Sequence, residues 1–215
     1  MIPCLNEANS IGDVVRQTVV HLPKVIVVDD HSSDSTAQAA QSAGAEVLRL
    51  TGENGKGAAL VAGWGRASEL GFGWALSLDG DGQHLPADIP NFFMGLAPDK
   101  PALVIGNRMH NSVAMPWVRR KVNRWMTARL SRKVGLPLAD SQCGFRLVHL
   151  GSLSKMQLAT RHFEIESEQI VVAARLGIPI KFVPIQVIYK QGSSKINPLV
   201  DTVRWFRWFL GPRRR

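Results

Sequence analysis

The chain has 215 residues, enough for one large α/β domain with a full core and no need of disulfide staples. Its 45% hydrophobic and 20% charged residues exclude a disordered, collagenous or coiled-coil chain. The net charge of +9 is unevenly spread: residues 100–139 carry nine Lys/Arg and no acid, residues 204–215 carry five Arg and no acid, and the remainder has 12 basic against 17 acidic residues. Anionic partners are therefore expected at two defined places.

In chain order, Ile2-Pro3 reads as the end of a buried strand whose first apolar residues lie upstream. Ser10 with Asp13 resembles a capping box that opens a helix running to about Leu22. A β-branched run at 25–28 ends in Asp29-Asp30, and Asp34 or Ser35 then caps a helix that stops near Gly44. Strand patterns follow at 46–50, at 75–78 running into Asp79-Gly80-Asp81, and at 102–105 running into Gly106-Asn107-Arg108. Helical spacing marks 57–71, 86–97, 117–134, 164–176 and 199–210. This alternation predicts an α/β fold with a mostly parallel sheet flanked by helices, as a single domain over 1–197 followed by a basic, aromatic, amphipathic tail over 198–215. In such sheets ligands sit beyond the carboxyl ends of the strands, and three of these ends are polar here.

Asp79-Gly80-Asp81-Gly82-Gln83-His84 offers two carboxylates and an amide oxygen, hard ligands suited to Mg²⁺ or Mn²⁺. Gly80 lets the backbone approach a phosphate; a plain Asp/Gly turn has the same sequence. A calcium loop is excluded, because counting from Asp79 puts Pro90 where a bidentate Glu is required. In the 29–36 segment one carboxylate is suited to a nucleobase or ribose, whereas His31 reads as a solvated turn residue. Asn54-Gly55-Lys56-Gly57 is not a P-loop, since no Ser/Thr follows Lys56 and position 51 is Thr. Lys56 beside a helix start has two readings, a phosphate or base contact and a solvated lysine.

Ile2-Pro3-Cys4-Leu5-Asn6-Glu7-Ala8, Val28-Asp29-Asp30-x-Ser-x-Asp-x-Thr, Asn54-Gly55-Lys56-Gly57-Ala58, the Asp79–His84 run, Gly106-Asn107-Arg108 and Asp140-Ser141-Gln142-Cys143-Gly144-Phe145-Arg146 occur in one order. That order resembles family 2 glycosyltransferases, most closely the polyprenyl-phosphate (dolichol-phosphate) mannosyl- or glucosyltransferase branch. The resemblance implies a GT-A fold and inverting transfer of a hexose from a GDP- or UDP-sugar to a polyprenyl phosphate. It places Pro3, Leu5, Glu7, Asp29 and Asp30 at the nucleoside, Lys56, Asp79, Gly80 and Asp81 at the donor, and Asp79, Asp81 and Gln83 on the divalent ion. Arg108, Arg119, Asn123 and Arg146 fall on the acceptor phosphate, Glu166 at the reaction centre, and Lys195 in a late loop over the donor phosphates. Asn123 stands where the family usually has Ser, which keeps open a soluble or cell-wall glycan as acceptor; Arg120 and Arg124 form a further i,i+4 pair on an adjacent face. Glu164 and Glu168 read as charges that complement the helix dipole.

Cys4 and Cys143 form no CxxC pair, so a reducing compartment is the default. No apolar run reaches the roughly 18–20 residues that span a bilayer, and a cytoplasmic protein peripheral to the inner membrane face is expected. Four of the six Trp, at 117, 125, 205 and 208, lie in the two basic segments. This pairing suits an anionic membrane surface, stacking on single-stranded nucleic acid, or in part core burial. No nucleic-acid-binding signature accompanies it, so no nucleic-acid partner is expected.

Overall fold

The computed structural model describes residues 1–94, 96, 100, 102–111, 115–189 and 198–211. Strands β1 (Ile2–Cys4), β2 (Ile26–Asp29) and β3 (Glu46–Arg49) pair in parallel in that order, and β4 (Trp74–Ser77), β5 (Leu103–Asn107), β6 (Arg146–His149) and β7 (Ile180–Pro184) pair in the order β4-β6-β5-β7. The Met1 amine donates to Leu76 O (2.5 Å) and Leu78 N–H to Met1 O (3.3 Å), which joins β1 to β4 and makes one layer ordered β3-β2-β1-β4-β6-β5-β7. Only β6, among the paired strands described, runs antiparallel to its neighbours.

Helices α1 (Ala8–Thr18), α2 (Thr36–Ser42), α3 (Lys56–Glu69), α4 (Ile89–Phe93), α5 (Trp117–Val134), α6 (Leu150–Leu153), α7 (Glu164–Arg175) and α8 (Pro198–Leu210) surround the sheet. All four residues of β2 are buried, as a strand covered on both faces requires. Ile2, Leu78, Phe92, Leu103, Phe145 and Ile165 anchor the core.

Two expectations are corrected by position, and two strands were not expected. Helix α1 starts at Ala8 and stops at Thr18, so Ser10 lies inside it and caps nothing. The cap comes from a distant loop, where Asp34 accepts Ala8 N–H on Oδ2 (3.2 Å) and Thr36 N–H on Oδ1 (3.0 Å), serving the first turns of α1 and α2 with one carboxylate. The 86–97 helix is a 3₁₀ turn over Pro86–Asp88 followed by the short α4, with Pro86 and Pro90 each lacking an N–H. Strands β6 and β7 follow no clear alternation, since each mixes Arg, Lys or His with apolar residues.

Helix α8 lies against α7: Trp205 is 3% exposed, donates Nε1–H to Ser167 Oγ (3.0 Å) and stacks on Phe209 at 4.7 Å. Lys133 Nζ, from α5, donates to Phe209 O (2.6 Å). No helix among the described residues is long and apolar enough to cross a membrane.

Candidate active site

The carboxyl ends of β1, β2 and β4 meet above the sheet. Cys4 and Asp29 are in register, and Asp30 N–H donates to Cys4 O (2.8 Å), so the ends of β1 and β2 stand side by side. The 79–84 turn follows β4 and is drawn against them: Ser10 Oγ donates to Gly80 O (2.8 Å), and a Cβ on Gly80 would lie 2.5 Å from Cys4 Sγ. Only glycine fits that approach.

Gln83 folds back on Asp81, donating its backbone N–H to Oδ1 (2.9 Å) and its side-chain amide to Oδ2 (2.7 Å). Burial first, then the neighbouring Asp79 carboxylate, pushes the Asp81 pKa above its ordinary value. His84 accepts Asp79 N–H on Nδ1 (3.3 Å), and burial pushes its pKa down to about 4, so the ring is neutral at pH 7. Sequence reading passed over His84; its place at the end of the DxD run is the signal that was available.

Asp79 itself is held by Lys56. The Lys56 ammonium, at the start of α3, lies 2.7 Å from Asp79 Oδ1 and 2.7 Å from Glu166 Oε1 on α7. Burial opposes the charge on Lys56, but the two carboxylates outweigh it and raise the pKa; burial likewise opposes the charge on Asp79, and Lys56 together with His84 and Arg108 lowers it well below the usual range. Of the two readings of Lys56, the solvated one is therefore excluded: its side chain is 14% exposed and lies over the Phe163 ring at 5.5 Å. Two glycines make room for this triad. A Cβ on Gly57 would sit 2.6 Å from the Arg161 carbonyl carbon, and one on Gly144 would sit 2.7 Å from Lys56 Nζ and 2.8 Å from Asp79 Oδ1. Glu168 is more than a dipole partner, because it accepts Ala159 N–H (3.1 Å), Thr160 N–H (2.9 Å) and the Thr160 hydroxyl (2.7 Å) and so fixes the loop before α7, whose Arg161 O accepts Ala58 N–H from the first turn of α3 (3.0 Å).

At the nucleoside end, Leu5 is exposed, Pro3 and Glu7 are half-buried, and Asp29 and Asp30 are buried. Asp29 accepts Ser32 N–H on Oδ1 (3.0 Å) and has Arg49 Nε 3.9 Å from Oδ2. Asp30 accepts Gly55 N–H (2.8 Å), so it shapes the loop that delivers Lys56.

On the opposite side Arg108 grips Asp140 with both arms, Nε to Oδ2 at 2.7 Å and Nη2 to Oδ1 at 3.0 Å. Asp140 is fully buried and also accepts Asn123 Nδ2–H (3.0 Å) and Gln142 N–H (3.1 Å). Asn123 is thus a buried brace for Asp140 rather than a residue presented to a phosphate. Arg146 is corrected too: it is 3% exposed, and its guanidinium donates to Cys143 O (2.6 Å), Ser141 O (2.9 Å), Glu166 O (2.6 Å) and Gln169 Oε1 (3.1 Å). With four of its five N–H donors on the 141–143 turn and on α7, it locks these together. Arg119 is half-buried, and its positive charge acts on Asp81. Lys195 lies outside the described residues.

The donor chemistry fits a hard divalent cation. Asp79, Asp81 and Gln83 carry oxygens of that kind, though one Asp79 oxygen faces the Lys56 ammonium at 2.7 Å; among the described residues no cationic side chain lies within 4 Å of the Asp81 carboxylate, and no group of three or more His, Cys, Asp or Glu gathers as a metal site. Two carboxylates are the usual protein share for Mg²⁺, which takes its remaining ligands from substrate phosphates and water.

Comparison with known proteins shows the family and the fold. The sequence profile described as glycosyl transferase family 2 matches residues 1–156, and the chain belongs to that family. It is therefore a glycosyltransferase with a GT-A-like fold. A UDP-N-acetylglucosamine–dolichyl-phosphate N-acetylglucosaminyltransferase of Methanococcus voltae is 29% identical, over 90% of this chain and 86% of its own. An undecaprenyl-phosphate mannosyltransferase of Micrococcus luteus is also 29% identical, over 95% of this chain and 92% of its own. Among solved structures, the glucosyl-3-phosphoglycerate synthase of Mycobacterium tuberculosis, crystallised with Mn²⁺ and UDP-glucose, superposes with a TM-score of 0.72 at 18% identity, covering 99% of this chain and 78% of that one.

Proposed function

We propose that the protein is an inverting, divalent-metal-dependent transferase that moves a hexose from a GDP- or UDP-sugar to a polyprenyl phosphate at the cytoplasmic face of the membrane. The observation that carries the reading is the meeting of opposite charges at one place. The 140–144 turn joins the two sides: Asp140 holds the Arg108 guanidinium (Nε to Oδ2, 2.7 Å), Cys143 Sγ lies 4.0 Å from His84 Nε2, and a Cβ on Gly144 would lie 2.8 Å from Asp79 Oδ1, so carboxylates fit for a metal–diphosphate lie one turn away from a guanidinium group fit for a second phosphate. Relatives spanning almost the whole chain are named for polyprenyl-phosphate acceptors, which supports the same assignment.

In this reading Pro3, Leu5, Glu7 and Asp29 receive the nucleoside, with Asp30 setting the Gly55 loop. Asp79 and Asp81, the latter oriented by Gln83, would hold Mg²⁺ or Mn²⁺, which when bound supplies positive charge to the departing nucleoside diphosphate. Lys56 keeps Asp79 ionised and aimed, and Glu166 balances Lys56. A phosphate acceptor has its second pKa near 6, so its oxygen is already largely deprotonated at neutral pH and needs orientation more than a general base. Arg119 and Arg108 supply that orientation, with Asp140 fixing Arg108 in its fork. The basic surface of α5 and the tail over 198–215 would rest on anionic lipid.

The test is transfer from GDP-mannose, UDP-glucose and UDP-N-acetylglucosamine to a polyprenyl phosphate with Mg²⁺ or Mn²⁺. Asp81→Ala is expected to lower kcat/KM by about a thousandfold, as loss of a principal charge-stabilising group does, and Arg119→Ala to raise the KM for the lipid about tenfold or more. Arg119 is the better probe than Arg108, whose removal leaves Asp140 buried without its ion pair. A second reading, with a soluble or cell-wall glycan as acceptor, is favoured by Asn123 being turned into the Asp140 network. Unchanged transfer in Arg119→Ala would select it.

A further inference from the structure

Tyr189, the only tyrosine in the chain, has no role in the reading above, and its surroundings give it one. After β7 the chain crosses to the metal-binding turn: Val187 bridges His84, and Ile188 N–H donates to Gln83 O (2.9 Å). These bonds hold the next residue, Tyr189, beside the 79–84 turn. The phenol oxygen is buried and has no hydrogen-bond partner among the described residues. A buried hydroxyl left unpaired costs about 1–3 kcal/mol, and native structures hold few of them.

Burial acts most on the phenol and raises its pKa, and the charges of Arg108, Asp140 and Arg119 also act on it. Asp140 already takes two bonds from the Arg108 side chain and one each from Asn123 and Gln142. Burial keeps Cys143 a thiol, its pKa pushed up to about 12. The surroundings therefore offer positive charge from two guanidinium groups and an O–H donor lacking an acceptor. A phosphate monoester has acceptor oxygens for all three.

We propose that the Tyr189 hydroxyl is a ligand of the acceptor phosphate, donating to the oxygen that Arg108 and Arg119 leave uncovered and so helping to aim the attacking oxygen. The identity of the phosphate as a polyprenyl one rests on the functional reading above; the presence of a phosphate ligand at Tyr189 does not.

Tyr189→Phe keeps the ring and removes only the unpaired hydroxyl, and a melting temperature equal to or above that of the wild type would show that the fold is kept. Binding of a C10 prenyl monophosphate and of inorganic phosphate would be measured by calorimetry on the wild type and the variant, beside transfer kinetics. The expected result is a roughly tenfold weaker Kd for both phosphates, a similar rise in KM for the lipid acceptor, and an unchanged KM for the nucleotide sugar. Equal affinities in the two proteins would overturn the proposal, as would a change confined to the nucleotide-sugar KM or a wild type that binds neither phosphate. If phosphate binding depends on the hydroxyl while the wild type transfers nothing to polyprenyl phosphate, the proposal stands and the lipid assignment falls.

Discussion

Lys56→Met would leave Asp79 and Glu166 in the interior without their shared cation, and a broken ion pair of this kind costs about 3 kcal/mol, at the low end because Asp79 is nearly a third exposed. The pH dependence follows from the signs. In the wild type the Asp79 pKa is depressed, so its contribution is present above the ordinary carboxylate value and is lost as pH falls through the depressed one. In the variant the largest force against burial is gone, with only His84 and Arg108 left to oppose it, so the carboxyl pKa rises and the fold is penalised at neutral pH more than near pH 4. The difference in melting temperature between the two proteins is thus expected to be widest near pH 7 and to narrow toward pH 4.5; a constant difference would disprove the charge account. Gly144→Ala tests the same triad by volume, since its Cβ would meet Lys56 Nζ at 2.7 Å. A loss of about 1–3 kcal/mol in urea denaturation is expected, with a larger relative loss of kcat/KM. At this scale residue types were legible and directions were not. The DxD carboxylates, Lys56 and Glu166 were readable from motifs, but Asn123 and Arg146 look the same in sequence whether they face a phosphate or brace Asp140 and the 141–143 turn.

Asp34 shows why element boundaries were harder to read than element identities. The helix over 117–134 matched its apolar spacing to the residue, because that signal is local. The start of α1 was misplaced by the apparent Ser10–Asp13 box, because its true cap lies 26 residues away in the loop before α2. Strands β6 and β7 escaped for a related reason, since their place in the sheet is set by partners far along the chain rather than by alternation. Asp34→Ala removes two caps with one substitution, and a loss of about 1–2 kcal/mol is expected in urea denaturation. A loss below 0.5 kcal/mol, on the order of a neutral surface change, would show that the double cap contributes little. For α8, Trp205→Ala is expected to free the helix from α7, seen as new cleavage within 198–210 in limited proteolysis.

Helix α5 alone carries seven Lys and Arg and no acid. Trp117 is 63% exposed with Lys121 5.1 Å from its ring, and Val118 beside it is 52% exposed, whereas Trp205 is in the interior. Sequence composition alone could not separate these tryptophans, because burial depends on which face α7 covers. Trp117→Ala with Val118→Ala is expected to weaken sedimentation with anionic vesicles several-fold without lowering the melting temperature, and salt should weaken the wild type similarly. Vesicle binding that is indifferent to both would refute the lipid-facing role of α5. The central claim, that acid-held metal and arginine-held phosphate share one centre for transfer to a lipid, is tested most directly by following labelled sugar from a GDP- or UDP-hexose into the organic phase. The account predicts a lipid-linked product that requires polyprenyl phosphate and Mg²⁺ or Mn²⁺ and is lost in Asp81→Ala; label recovered only in water-soluble product, or organic-phase label that persists in chelator, would contradict it.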